Sequence, residues 1–279
     1  MIISPSAISP YKIPTFQSGG GGFDPDALAF ITAAGITGAT QQAAIIQLVA
    51  NLKGTGSTTN NTDVWSDLKA IYPYCPIDDS TATRDAFKYN LINPLDTDAA
   101  FRIDWFNSPT AAITGITGNG TNQYGNTHFK PLTELTNVTD ASFGFVSRTN
   151  SSRGGAPFGC NDGAKYFNVY LRNTSTVGFR IGSVDTFSGV VNNSSGVFIT
   201  TSNVANEIKT YQNNNLIRTY TNTDILPDLD CYLLANNSGT LGLASTNELS
   251  FTFMGAALTV NQAEDLYDAI TTYNTSLGR

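Results

Sequence analysis

The sequence predicts a mostly β protein, an antiparallel sandwich with a small N-terminal helical subdomain and a C-terminal helix. Three observations carry that expectation. Apolar residues recur with a period of 2 in many short runs through the middle of the chain, while helical spacing is confined to the two ends. The composition favours turns and pleats, with 36 Thr, 27 Asn and 25 Gly among 279 residues. Asn and Gly tolerate left-handed turns, and Thr suits a half-exposed strand. Charged residues make up only 13% of the chain, well below the roughly 25% usual for soluble proteins.

Length and charge exclude several classes. A chain of 279 residues holds one large core, because single cores stop growing near ~250–300 residues. No run approaches the ~20 apolar residues of a membrane helix, so no membrane insertion is expected. The 16 Phe and 12 Tyr supply too much burial for a disordered chain. A formal charge of −7 with no basic run offers nothing to nucleic acid. The start, residues 1–16, lacks a basic region followed by an apolar stretch, so synthesis in a host cytoplasm is expected. Cys75, Cys160 and Cys231 are an odd, widely spaced set, which predicts free buried thiols rather than a disulfide or zinc framework.

Residues 1–22 read as an extended arm with a glycine linker. Pro5, Pro10 and Pro14 forbid a helix, Gly19 to Gly22 form a joint, and Lys12 is the one charge. The interleaved Ile2, Ile3, Ile8, Tyr11 and Phe16 are unusual for a free tail and predict an anchor that docks on another subunit.

Residues 23–76 read as the helical subdomain. Asp24-Pro25 opens a helix over 27–34 that Gly35 stops. Thr37 or Thr40 is expected to cap the next helix, from Gln41 to Lys53, with Gly54 at its end. Trp65, Leu68 and Tyr72 lie at i, i+3 and i+7, which predicts a third helix over 64–71 ended by Pro73.

Residues 77–279 read as the sandwich. Ile103 and Trp105, Phe143 and Phe145, then Val177, Phe179 and Ile181 each mark one strand face. Between Tyr166 and Arg172 the inward set is Phe167, Val169 and Leu171. Further strands are expected at 197–200, 232–235 and 249–253, and a hairpin pairs 207–212 with 216–221 across Asn213, Asn214 and Asn215. At the end Thr259 and Gln262 form a capping box, and Ala263, Leu266, Ile270, Tyr273 and Leu277 form one apolar stripe with Gly278 at the stop.

The order of several motifs adds a resemblance. Phe23 to Thr37, Thr40-Gln41, Asn51 to Gly54, Trp65 to Pro73, Asn93 to Arg102, Asn119 to Asn126 and Leu258 to Arg279 resemble structural proteins of tailed phages that infect Bacteroidetes-type hosts. The resemblance covers about residues 23–279 and implies a concanavalin A-like, laminin-G-like jelly roll on a virion. It implies a capsid- or tail-attached fibre, spike or decoration protein. The partners expected are other virion proteins, met through the arm, in a homo-oligomer for which a trimer is favoured.

Catalytic chemistry is sparse. His128 is the single histidine, and no G-x-S-x-G elbow accompanies it. Glycoside hydrolysis needs two carboxylates about 5 Å apart, yet Glu134, Glu207, Glu248 and Glu264 fall in no clustered pattern. Asp96 and Asp98 precede a strand and are expected to cap a turn, with cation binding as the alternative. A non-enzyme without cofactor or metal is therefore expected. Sugar binding needs an exposed aromatic beside amide or charged partners. Tyr166, Asn168, Tyr170 and Arg172 share one face of one predicted strand and form the candidate sugar platform, with host surface glycans as the alternative partner.

Overall fold

The computed structural model describes residues 23–151, 155–173, 176–182, 187–188, 193–203, 207–221 and 225–279. The fold is the expected jelly-roll sandwich, mostly β, with helices at the start and one at the end.

Among the described residues, eight strands form the first sheet. Its order is Asn215–Thr221, Glu207–Gln212, Gly196–Asn203, Ala141–Ser147, Glu248–Gly255, Gly115–Thr117 and Thr110–Ala112. Leu68–Tyr72 also pairs with Glu248–Gly255. The second sheet runs Phe187–Ser188, Thr176–Gly182, Lys165–Asn173, Phe158–Asp162, Tyr232–Leu233, Tyr124–Asn126 and Asp104–Phe106. The hairpin of Asn236–Asn237 and Leu241–Gly242 joins it through a parallel step at Cys160.

Two cores lie on either side of the first sheet. Between the sheets, Phe143, Phe145, Phe158, Phe167, Phe179 and Phe198 are fully buried. Their rings meet at 5.0 Å for Phe143 with Phe167 and at 5.2 Å for Phe145 with Phe198, within the range of favourable aromatic pairs. On the far side, Val146, Val197, Ile199, Phe251 and Phe253 pack under Ile45, Leu48, Leu266, Ile270 and Tyr273. These last residues belong to helices Ala39–Leu52 and Val260–Ser276. The molecule thus has three layers: helices, first sheet, second sheet.

The helix ends follow local chemistry. Asp24 accepts from the Asp26 amide at 2.9 Å and Pro25 opens Pro25–Ala33. Thr259 and Gln262 make the reciprocal capping box of Val260–Ser276. Neither Thr37 nor Thr40 caps the second helix; Gly38 does, without a side chain. Instead the amides of Thr37 and Gly38 both donate to the Ile77 carbonyl at 2.9 Å.

The expected third helix is a strand. Trp65–Asp67 makes one tight turn, and Leu68–Tyr72 then pairs antiparallel with Glu248–Gly255. Leu68 and Ile71 face the helical core while Ala70 and Tyr72 face the inter-sheet core. A strand buried on both faces reads as a continuous apolar run, which short helical spacing imitates.

A loop carboxylate ties this region to the C-terminal helix. Asp265 is fully buried and accepts from the amides of Asn60 and Thr62, each at 2.7 Å, and from the Thr62 hydroxyl at 2.6 Å. Burial pushes this carboxyl up, but the hydrogen bonds outweigh it and hold the carboxyl below its ordinary value. On the other side of the molecule, the Tyr220 hydroxyl donates to the Phe179 carbonyl at 2.9 Å and accepts from the Ile181 amide at 3.0 Å. That single group links the last strand of the first sheet to a strand of the second. All three cysteines are buried free thiols, with Cys160 and Cys231 Sγ atoms 3.4 Å apart in the inter-sheet core.

Candidate functional site

The helices cover the outer face of the first sheet, so the outer face of the second is the sandwich surface left for a ligand. Its inward residues, Phe158, Phe167, Val169, Phe179 and Leu233, are fully buried. The register sets what points the other way. Asp104 stands opposite Asn126, Asn126 opposite Tyr232, and Tyr232 opposite Gly159. Gly159 stands opposite Asn168, and Asn168 opposite Arg180. One level row therefore crosses six strands, alternating acid, amide, aromatic, glycine, amide and cation.

The glycine is required by its neighbour. Gly159 has φ +134°, and a Cβ there would lie 2.2 Å from the Asn168 Cβ, a clash that no side-chain rotation relieves. With that space open, Asn168 Nδ2 donates to Asn236 Oδ1 at 2.8 Å and Asn236 Nδ2 donates to Asn161 Oδ1 at 2.6 Å. The chain of amides ends on a buried acceptor: Asn168 Oδ1 has no hydrogen-bond partner among the described residues. A buried orphan acceptor is costly by roughly 1–3 kcal/mol and calls for an explanation.

Aromatic groups flank the row on both sides. The Arg180 guanidinium sits 4.9 Å from the Tyr166 ring centre and 4.4 Å from that of Tyr170, within cation–π reach. Toward the other edge, Phe106 stacks on Tyr124 at 4.6 Å with the planes 5° apart, and Tyr124 meets Tyr232 at 4.6 Å. Phe106 is 41% exposed, so this stack ends at solvent. Burial raises the Tyr232 hydroxyl above its ordinary pKa, and Tyr124 and Asp230 add to that, so it remains a neutral donor at neutral pH.

A charged network borders the row. His128 Nε2 lies 2.9 Å from Asp104 Oδ2 and 3.5 Å from Asp98 Oδ1. Asn126 Nδ2 donates to Asp230 Oδ2 at 3.1 Å. Asp98, Asp104 and His128 are close enough to hold a metal ion together. Arg102, however, already engages Asp98 Oδ1 at 2.9 Å and Asp104 Oδ1 at 3.1 Å. A cation would compete with that guanidinium for the same oxygens, so the group fits an ion-pair network better than a metal centre. Asp96 and Asp98 do not cap a turn as the sequence suggested. Asp96 meets Lys88 at 2.9 Å and Asp98 meets Arg102, and the tight turn Asp98–Ala100 has no side-chain cap.

The sequence-predicted platform falls on this face in part. Tyr166 and Tyr170 are half-buried beside Arg180, while Asn168 is fully buried. The Arg172 side chain lies outside the described residues, as do Ile2, Ile3, Ile8, Tyr11 and Phe16. Arg180 was readable in principle, since it alternates with Phe179 and Ile181. Phe106, Tyr124, Tyr232, Asn161 and Asn236 come from distant segments, and only the register brings them together.

No protein-family model matches the sequence, and a search of curated proteins finds no match. Partial similarities to solved structures exist. Over 43% of this chain the fold is similar to the NanB sialidase from Streptococcus pneumoniae, at 14% identity and a TM-score of 0.35, covering 23% of that chain. A carbohydrate-binding module of family 40 from the Ruminococcus gnavus IT-sialidase is similar over 43% of this chain and 78% of its own, at 15% identity and a TM-score of 0.37. A structure from work on ganglioside-dependent cell entry of botulinum neurotoxin type C is similar over 61% of this chain and 47% of its own, at 9% identity and a TM-score of 0.40.

Proposed function

We propose that this chain is a non-catalytic carbohydrate-binding module whose ligand lies on the outer face of the second sheet. The observation that supports this most is the composition of that face. Half-exposed rings at Phe106, Tyr124, Tyr232, Tyr166 and Tyr170 share one surface with amides and the charged groups of Asp104, Asp230 and Arg180. Sugars are recognised by this pairing, an aromatic plane for their C–H face and amide or charged groups for their hydroxyls. The orphan acceptor of Asn168 fits a site whose polar groups are arranged for a guest or an ordered water. The test is a glycan array probed with the purified protein and with Phe106→Ala and Tyr170→Ala variants. Binding of a host surface glycan that weakens in either variant is the expected result. Failure to bind any glycan overturns the reading.

A second reading has its own support. The ordered motifs between Phe23 and Arg279 and the apolar arm bearing Ile2, Ile3, Ile8, Tyr11 and Phe16 favour display of the module on a tailed-phage virion. In that setting the arm moors a homo-oligomer, a trimer by preference, to a capsid or tail, and avidity strengthens weak sugar contacts. Removing residues 1–22 is expected to leave a folded module that no longer joins the particle. Truncated protein retained on particles overturns it.

A further inference from the structure

A cavity lies on the helical side of the molecule, away from the face just described. It is a groove of about 370 Å³ between the C-terminal helix and one end of the first sheet. That volume is within the ~300–1,000 Å³ of small-molecule sites. Val146 and Val197 line it with apolar surface, and Tyr267 supplies an aromatic ring. Thr271 and Thr275 follow Tyr267 on the helix at i+4 and i+8, so their hydroxyls fall on the same stripe.

The charge of this lining departs from that of the whole chain. The protein carries 22 acidic and 15 basic residues, yet both charged residues lining the groove are arginines. Arg279 is committed to structure: its guanidinium donates to the carbonyls of Pro73, Tyr74, Ile113 and Ser250 and to Asn274. Arg148 is not. Its Nε lies 3.9 Å from Glu248 Oε2, and its terminal nitrogens make no hydrogen bond among the described residues. Asn213 adds an amide to the lining. Its Oδ1 accepts from the Val197 amide at 2.9 Å, and a Cβ on Gly196 would come within 2.5 Å of that oxygen, so glycine keeps the amide seated. Its Nδ2 has no partner among the described residues.

From these features we infer that the groove binds a small acidic sugar, with its carboxylate on Arg148 and its ring against Tyr267. A guanidinium matches a carboxylate with two parallel hydrogen bonds. The threonine hydroxyls and the Asn213 amide suit ring hydroxyls, and the apolar lining suits a sugar's C–H face. Neither a neutral sugar nor a simple carboxylate uses all of these groups.

The inference stands apart from the proposed function, and its test separates the two. Glucuronate, glucose and acetate are titrated into the full chain while its amide resonances are followed. Glucuronate is expected to shift residues around Arg148 and Thr271, and to bind more tightly than glucose or acetate. Arg148→Met is expected to weaken glucuronate by about tenfold or more, and Tyr267→Ala to weaken it less, with the resonance pattern of the fold preserved in both. The assignment is overturned if glucuronate causes no shift, if its shifts map to Tyr166 and Tyr170 instead, or if Arg148→Met binds as well as the parent.

Discussion

Strand Ala141–Ser147 of the first sheet is buried at all seven positions, whereas in Lys165–Asn173 of the second sheet buried Phe167, Val169 and Leu171 alternate with half-buried Tyr166 and Tyr170. Both strands pair antiparallel with a neighbour on each side. They differ in what covers their outer faces. The first sheet spends its outer residues on Val146, Val197, Phe251 and Phe253 and becomes the middle layer of three. The second places Asn, Tyr, Asp and Arg outward and ends the molecule there. A sheet face is thus either a core surface or an open polar surface, and the alternate residues of a few strands decide which.

Substitutions on the two faces should therefore separate stability from binding. The largest effect is expected on the covered face. Phe251 is fully buried and meets the Tyr273 ring at 6.0 Å, so Phe251→Ala should cost about 3–5 kcal/mol in chemical denaturation. A loss no greater than that at an open-face tyrosine would break the distinction.

Next comes the carboxylate that holds the loop to the helix. Asp265→Ala strands the amides of Asn60 and Thr62 and should cost about 2–3 kcal/mol. Its pH dependence has a definite sign. Because the folded carboxyl is held below its ordinary value of 3.8, its stabilisation is fully present above that value and drains away as pH falls through the lower folded value. Melting temperatures measured from pH 5 down should fall less steeply for Asp265→Asn than for the parent.

Gly159 tests how finely the open face is built. Gly159→Ala places a methyl against Asn168 at a positive φ and should cost about 2 kcal/mol, with the Asn168 to Asn236 hydrogen bond lost in a crystal structure of the variant. The smallest change in stability belongs to the open face itself. Tyr170→Ala removes one ring beside Arg180 and should cost about 1 kcal/mol or less, while reducing glycan binding more than Phe251 variants that remain folded. Unchanged glycan binding would separate Tyr170 from the ligand surface.

Much of the architecture was legible because local chemistry and tertiary packing agree. The alternation at Phe167, Val169 and Leu171 names the buried face correctly. The predicted hairpin forms with Gln212 opposite Asn215, and Asn213 and Asn214 both take positive φ, so asparagine supplies the turn without glycine. The capping box and the apolar stripe of the last helix also form as read. Leu68–Tyr72 was misread because burial on both sides erases the period that identifies a strand. The candidate face was legible only one strand at a time. Tyr166 and Tyr170 announce a polar face, but nothing local to them reveals that Gly159 and Arg180 lie on either side of Asn168, since that depends on how three strands slide into register.

The Tyr220 hydroxyl has a consequence for how copies of this chain meet. It bonds the carbonyl of Phe179 and the amide of Ile181, which lie past the pairing of Phe187–Ser188 with Thr176 and Val177. Sheet margins of that kind invite fibrillar growth by edge-to-edge addition. Here an incoming strand must first displace a phenol from both positions, so crowding many modules side by side carries less risk of their sheets fusing.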